Sequence, residues 1–205
     1  MKITEREKPD MLKDLLFVIN DKGENLSEQA RCDIIEKISW EWNEGKNAKK
    51  KHYGCNYWSE AALRDKLGEK FKVSDNLNIK VTKTDKSGLI HEHVVPKKLF
   101  KEFIWGLSKS EEVVSNITEI ETLMNQKLLA CVITSEEDAN LNSLGYRQSI
   151  PNENNEVYTG NMKELDKPWA RYEAAQKQGV LSKIYKISWG PKYKTITGIK
   201  EEQLG

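Results

Sequence analysis

The chain has 205 residues, with 33 Lys and Arg against 32 Asp and Glu, which gives a formal net charge of +1. This balance excludes a protein that coats nucleic acid through global positive charge, although it permits a local basic face. No apolar run reaches the roughly 18 residues of a transmembrane helix. The charged start is also unlike a signal peptide. We therefore expect a soluble, cytoplasmic protein with no membrane partner.

The first third of the sequence predicts helices. Residues 11–19 place apolar side chains at helical spacing. Ser27 is a candidate N-cap for a second helix, which fades at 43–45. Residues 45–58 are rich in lysine and aromatic side chains, as is typical of an exposed basic loop, and Ser59 begins another short helix.

The middle of the sequence predicts a β-hairpin. Residues 77–84 alternate apolar and polar side chains, residues 88–96 form a second strand-like run, and a DKSG turn signal separates them. Two helices follow, over 97–107 and 110–125. The remaining predicted elements are a buried strand over 127–134, a short helix opened by a Thr134–Glu137 capping box, a polar loop over 146–168, a helix over 168–179 that stops at Gly179, and two C-terminal strands around Gly190–Pro191.

Together these elements predict an α+β fold with N-terminal helices, a central β-hairpin packed by helices, and C-terminal strands. The length fits a single domain over 1–205. Within it, we expect a helical N-terminal part over 1–72 and an α+β part over 73–205.

The three cysteines do not predict a zinc knuckle or a disulfide framework, because no CxxC pair occurs and the residues lie far apart. Cys131 lies in an apolar run that predicts burial, whereas Cys55 lies in a polar, aromatic segment that predicts accessibility. His52 and Cys55 are three residues apart and form a candidate pair of metal ligands.

The segment IHEHVVPKK carries the strongest chemical signal. On a strand, His91 and His93 point to one face and Glu92 to the other. Imidazole beside a carboxylate is suited to binding a divalent metal or to general-base catalysis near neutral pH. Lys97 and Lys98 follow at once and favour an anionic substrate such as a phosphodiester.

The run Glu92-His93-Val94-Val95-Pro96 resembles the first motif of HNH endonucleases. The resemblance implies a phosphodiester hydrolase in which His93 is the general base that activates water. It also implies that Glu92 ligates a divalent metal (Mg, Mn or Zn), with His91 as an alternative ligand. A bacterial or phage-related defence setting belongs to the same implication.

In that family, a later helix supplies an Asn and a closing His or Asn. No histidine follows His93 here, so the candidates are asparagines, for example Asn116, Asn125, Asn140 and Asn142. The alternative interpretation is structural. A His-x-His pair on an amphipathic strand is often half-buried and hydrogen-bonded by its neighbours, and a proline then only ends the strand.

Two other segments carry charge beside aromatic rings. Lys49, Lys50 and Lys51 are suited to phosphate contacts, while nearby Trp58 either stacks on an unpaired base or, as we favour, fills the core. Arg171 lies on the predicted 168–179 helix, where we expect a surface ion pair.

Three functions therefore compete. The first is a metal-dependent nuclease that binds nucleic acid. The second is a non-catalytic protein-binding or regulatory module, such as an inhibitor or an immunity-type partner, and the third is a nucleic-acid binder without catalysis. The sequence lacks the phosphate-loop, dinucleotide-binding, nucleophile-elbow and HExxH motifs, which disfavours the corresponding enzyme classes.

Overall fold

A computed structural model describes residues 8–44, 52, 54–81, 88–110, 117–151, 165–191 and 194–204. Within these ranges the chain forms helices and a six-stranded mixed sheet, which confirms the predicted α+β class. The helices are α1 (Lys8–Asn20), α2 (Glu28–Glu44), α3 (Glu60–Leu67), α4 (Lys97–Lys109), α5 (Ile117–Lys127), α6 (Ser135–Ser143) and α7 (Ala170–Lys177). The strands are β1 (Tyr57–Ser59), β2 (Ile79–Lys80), β3 (Leu89–His93), β4 (Ala130–Thr134), β5 (Ile184–Trp189) and β6 (Thr195–Glu201).

The strand order is β2-β6-β5-β1-β4-β3, with β1 and β4 parallel and the other pairs antiparallel. The predicted central hairpin is therefore wrong, because β2 and β3 lie at opposite edges of the sheet. The apolar strand β4 is buried between β1 and β3, and this long-range pairing overrides the local turn signal. The predicted C-terminal strand pair is confirmed as β5 and β6, with the Gly190 N–H donating to the Thr195 carbonyl at 2.9 Å.

Strand alternation gives the sheet two distinct faces. On the α3 face, Leu89 and Val132 pack with Trp58 and the α3 residue Leu63. On the opposite face, which we call the α6–α7 face, strand residues pack against those two helices; they include Cys131, Ile133 and Ile184. His91 and His93 share the parity of Leu89 and lie on the α3 face, whereas Glu92 lies on the α6–α7 face.

The N-terminal helices form a separate apolar cluster with α4 and α5. The division of the chain at residue 72 does not follow this packing, because β1 lies inside the sheet between β5 and β4. Within the described ranges, no helix is long and apolar enough to cross a membrane.

Three helix starts predicted from the sequence have the expected N-cap hydrogen bonds. The Ser27 Oγ accepts from the Ala30 N–H at 3.2 Å at the start of α2, and the Ser59 Oγ accepts from the Ala62 N–H at 3.1 Å at the start of α3. The Thr134–Glu137 capping box is confirmed at the start of α6. The predictions for these three helix starts are therefore correct.

Candidate active-site cleft

A cleft of about 600 Å³ follows the outer edge of β3, since all five residues of that strand line it. The chain has three histidines, and all three line this cleft: His52, His91 and His93. Lys97 and Lys98 line it as well. The fold thus brings the predicted site residues 91–93, 97 and 98 to one place, whereas Lys49, Lys50 and Lys51 lie outside the described residues.

The wall of the cleft on the α3 face contains three aromatic rings in contact with one another, with an ammonium group over the last of them. The rings of His91 and His93 meet edge-to-face with centroids 5.8 Å apart, and Trp40 of α2 meets His93 in the same way at 5.2 Å. The Lys97 Nζ lies 3.2 Å from the centroid of the Trp40 ring. This wall therefore places an ammonium group and an aromatic face beside the two imidazoles.

His93 is only 3% exposed and is hydrogen-bonded to the backbone of Ser39. Burial, together with the nearby charges of His91, Lys97 and Arg171, lowers the pKa of His93 to about 3. Among the described residues, no hydrogen-bond partner lies within reach of its buried Nε2 atom. His93 is thus a neutral imidazole at pH 7 with one nitrogen available as a proton acceptor.

The other wall is polar and comes from α6 and the segment after it. Asp138 and Asn142 line the cleft one helical turn apart, with the Asn142 Nδ2 donating to the Asp138 Oδ2 at 3.2 Å. Arg147 and Gln148 extend the same wall. Of the candidate asparagines that the structure describes, Asn142 therefore reaches the cleft.

The other asparagine candidates have different surroundings. Asn140 donates to the Val180 carbonyl, and Asn125 accepts from the Lys8 ammonium. Asn116 lies outside the described residues.

Arg171 holds the end of β3 in place from the α6–α7 face. Its Nε donates to the Val94 carbonyl at 2.7 Å, and one terminal nitrogen donates to the Tyr146 carbonyl at 2.7 Å. The other terminal nitrogen contacts the His93 carbonyl and pairs with a Glu92 carboxylate oxygen at 2.6 Å. The expectation of a surface ion pair is wrong, because Arg171 is fully buried and a buried guanidinium needs partners for all its donors.

A metal centre of Glu92 and His91 does not fit this geometry. Glu92 is engaged by Arg171, and it projects from the face of β3 opposite to both histidines. Across the described part of the chain, no three His, Cys, Asp or Glu side chains converge as metal ligands would. The arrangement instead suits proton transfer beside cations.

The prediction that Cys55 is accessible is also wrong. It is buried rather than accessible, its Sγ contacts the Ala130 carbonyl at 3.2 Å, and burial raises its thiol pKa to about 12. Its tryptophan-rich neighbourhood explains this, since the Nε1 groups of Trp58 and Trp189 both donate to the Cys55 carbonyl at 3.0 Å. Trp58 fills the core as predicted, and Cys131 is buried as predicted.

Sequence reasoning did not identify Trp40, Asp138, Arg147 or Gln148 as site residues. The i, i+4 spacing of Asp138 and Asn142 was a usable signal for one wall, because it places both on one face of a helix. No local signal links Trp40 to residues more than fifty positions away. Comparison with protein-family models, with curated proteins and with solved structures finds no match to this chain.

Proposed function

We propose that this chain is a nuclease and that the cleft along β3 is its active site. One observation carries the proposal: all three histidines line a single cleft together with Lys97, Lys98 and Arg147. Imidazole supplies proton transfer, and the three cations favour the negative charge of a phosphodiester and of its transition state. A cytoplasmic location and a role in defence against foreign nucleic acid belong to the same proposal.

In this proposal His93 is the general base. Its low pKa keeps the imidazole unprotonated at neutral pH, so the proton-accepting form is always present. Burial is the main cause of this low pKa, and the nearby cations lower it further, so an anion bound beside them offsets the second cause and raises the proton affinity of the imidazole. A phosphodiester held by Lys97 therefore activates the base that is to deprotonate the attacking water.

The HNH resemblance implies a divalent metal with Glu92 or His91 as its ligand. Because the described side chains do not form such a centre, the proposal does not depend on a metal, and the experiment tests cleavage with and without one.

The test is cleavage of plasmid DNA and of RNA by the purified chain, with Mg²⁺, Mn²⁺, Zn²⁺ or EDTA, beside a His93→Gln variant. Loss of a positioned general base costs typically about 10²–10⁴-fold in rate. Cleavage that falls by this factor in a variant with an unchanged circular dichroism spectrum supports the proposal. Equal cleavage by both proteins, or none by the wild type with any metal, contradicts it.

The burial of the histidines favours a second function, a non-catalytic protein-binding module. His91 and His93 are 8% and 3% exposed, as expected for packed residues. The large apolar side chains that are exposed in the described ranges are Phe17 of α1 and Val73 after α3, on separate elements. An inert wild type that captures a defined protein partner, with Phe17→Ser abolishing capture, would support this alternative.

A further inference from the structure

We infer that the cleft receives one unpaired nucleotide, so that the substrate is single-stranded nucleic acid rather than an intact duplex. This inference rests on the proposed nuclease function and adds its substrate class. It follows from the size of the cleft, from the Trp40 ring in one wall and from the hydrogen-bonding groups in the other.

The size of the cleft sets the first limit. Its volume of about 600 Å³ falls within the roughly 300–1,000 Å³ of pockets that enclose a single small ligand. Reaction inside such a pocket requires that a nucleotide be unpaired already or be extruded from the duplex, and extrusion costs a few kcal/mol. A single strand enters without that cost.

Trp40 supplies a stacking surface. Its ring is half-buried and nearly perpendicular to His93, at 88°, and the Lys97 ammonium lies over its face. A base that stacks on Trp40 would displace this ammonium toward the phosphate of the same nucleotide. One cation–π contact is then exchanged for a base–aromatic stack and a phosphate contact.

The opposite wall supplies groups that hydrogen-bond base edges. Asn142 and Gln148 each offer an amide donor and acceptor, and Asp138 offers a carboxylate acceptor. Asn142 and Arg147 are exposed, so they are accessible to a ligand from solvent. These base-edge groups line the same cleft as the Trp40 ring and the Lys97 ammonium, so one cleft offers the groups that recognise a base and its phosphate.

The experiment measures binding without cleavage. Fluorescence anisotropy in EDTA compares a labelled single-stranded DNA, the RNA of the same sequence and a hairpin duplex containing it. We expect both single strands to bind more tightly than the duplex, and the DNA and RNA arms then show which sugar is preferred. Equal or tighter binding of the duplex would overturn the inference.

Trp40→Ala is the decisive variant. Stacking on an aromatic side chain is worth about 1–3 kcal/mol per base, so single-strand affinity should fall about 5- to 150-fold while duplex affinity changes less than about twofold. Trp40→Phe should retain most of the affinity because it keeps an aromatic face. Trp105→Ala is the matched control, since Trp105 is also a half-buried tryptophan beneath cations but lies outside the cleft.

Asn142→Ala keeps the inference testable if Trp40→Ala does not fold, because Asn142 is exposed on α6. It should weaken single-strand binding more than duplex binding, and a parallel loss for both would overturn the inference. Selective, Trp40-dependent binding without any cleavage would leave this inference standing and refute the nuclease. His93-dependent cleavage without selective binding would do the reverse.

Discussion

Glu92 and His93, on the two faces of strand β3, differ in whether their side chains have hydrogen-bond partners. On the α6–α7 face, Glu92 is paired with Arg171, each of whose three nitrogens also contacts a backbone carbonyl. On the α3 face, His93 is at least as buried as Glu92, yet among the described residues its Nε2 atom has no hydrogen-bond partner. Two neighbouring residues of β3 therefore differ. The Glu92 carboxylate has a hydrogen-bond partner, whereas among the described residues the Nε2 atom of His93 has none.

The difference separates stability from function. A buried charge that is paired and hydrogen-bonded is part of the structural framework of the fold. Removing one partner is destabilising, because the other charge is then buried without compensation. A buried acceptor without a partner lowers stability, so its presence beside a cleft is explained by a ligand or by chemistry. The Glu92–Arg171 network therefore holds β3 in place, whereas His93, which lines the cleft, belongs to the reactive wall.

The largest expected effect comes from breaking the satisfied face. Arg171→Met should lower the free energy of unfolding by about 3–5 kcal/mol, because it leaves Glu92, two buried carbonyl groups and one part-buried carbonyl group without their donor. Urea denaturation at pH 7 measures the loss. Glu92→Gln is the control and should cost less, since the amide oxygen still accepts from Arg171. A loss below about 1 kcal/mol for Arg171→Met would show that the network is not structural.

The burial of His93 on the reactive face should be revealed by the dependence of stability on pH. The pKa of His93 falls from the ordinary histidine value of 6.5 to about 3 in the folded chain, so the unfolded chain binds a proton that the folded chain excludes. The contribution of this shift to stability is therefore complete above pH 6.5 and is lost as the pH falls toward 3. Between pH 7.5 and pH 5, wild type should lose about 2 kcal/mol more than His93→Gln. Parallel pH profiles of the two proteins would place the imidazole in contact with water.

Local signals predicted much of the fold. The caps at Ser59 and Thr134 are local, because each depends on a side chain and an N–H three residues later. The pairing of β2 and β3 could not be predicted in this way. Their partners are β6 and β4, and strand pairing over such separations is decided by burial of the whole sheet rather than by the turn between them.

The sequence indicated the β3 residues of the site, the two lysines after them and Asn142 among several candidate asparagines, but not the rest of the cleft. Strand periodicity correctly put His91 and His93 on one face, but it carried no information on what covers that face. Trp40 arrives from α2, and Arg171 from α7 nearly eighty residues later, so both depend on tertiary packing. The interpretation of Arg171 as a surface residue failed because a helical position alone does not reveal the buried carbonyls that receive its donors.

The smallest expected effect on stability distinguishes the cleft rim from both faces of β3. Lys98 is exposed and lies 3.7 Å from Glu102, a surface pair worth about 0–1 kcal/mol, so Lys98→Ala should leave the unfolding transition nearly unchanged. If Lys98 contacts a phosphate, the variant should bind single-stranded DNA more weakly, and the slope of log affinity against log salt should fall by about one. Lys13→Ala is the matched control, because Lys13 forms a similar exposed pair with Asp10 on α1. An equal change in both variants would mean that general surface charge, rather than the rim of this cleft, attracts the strand.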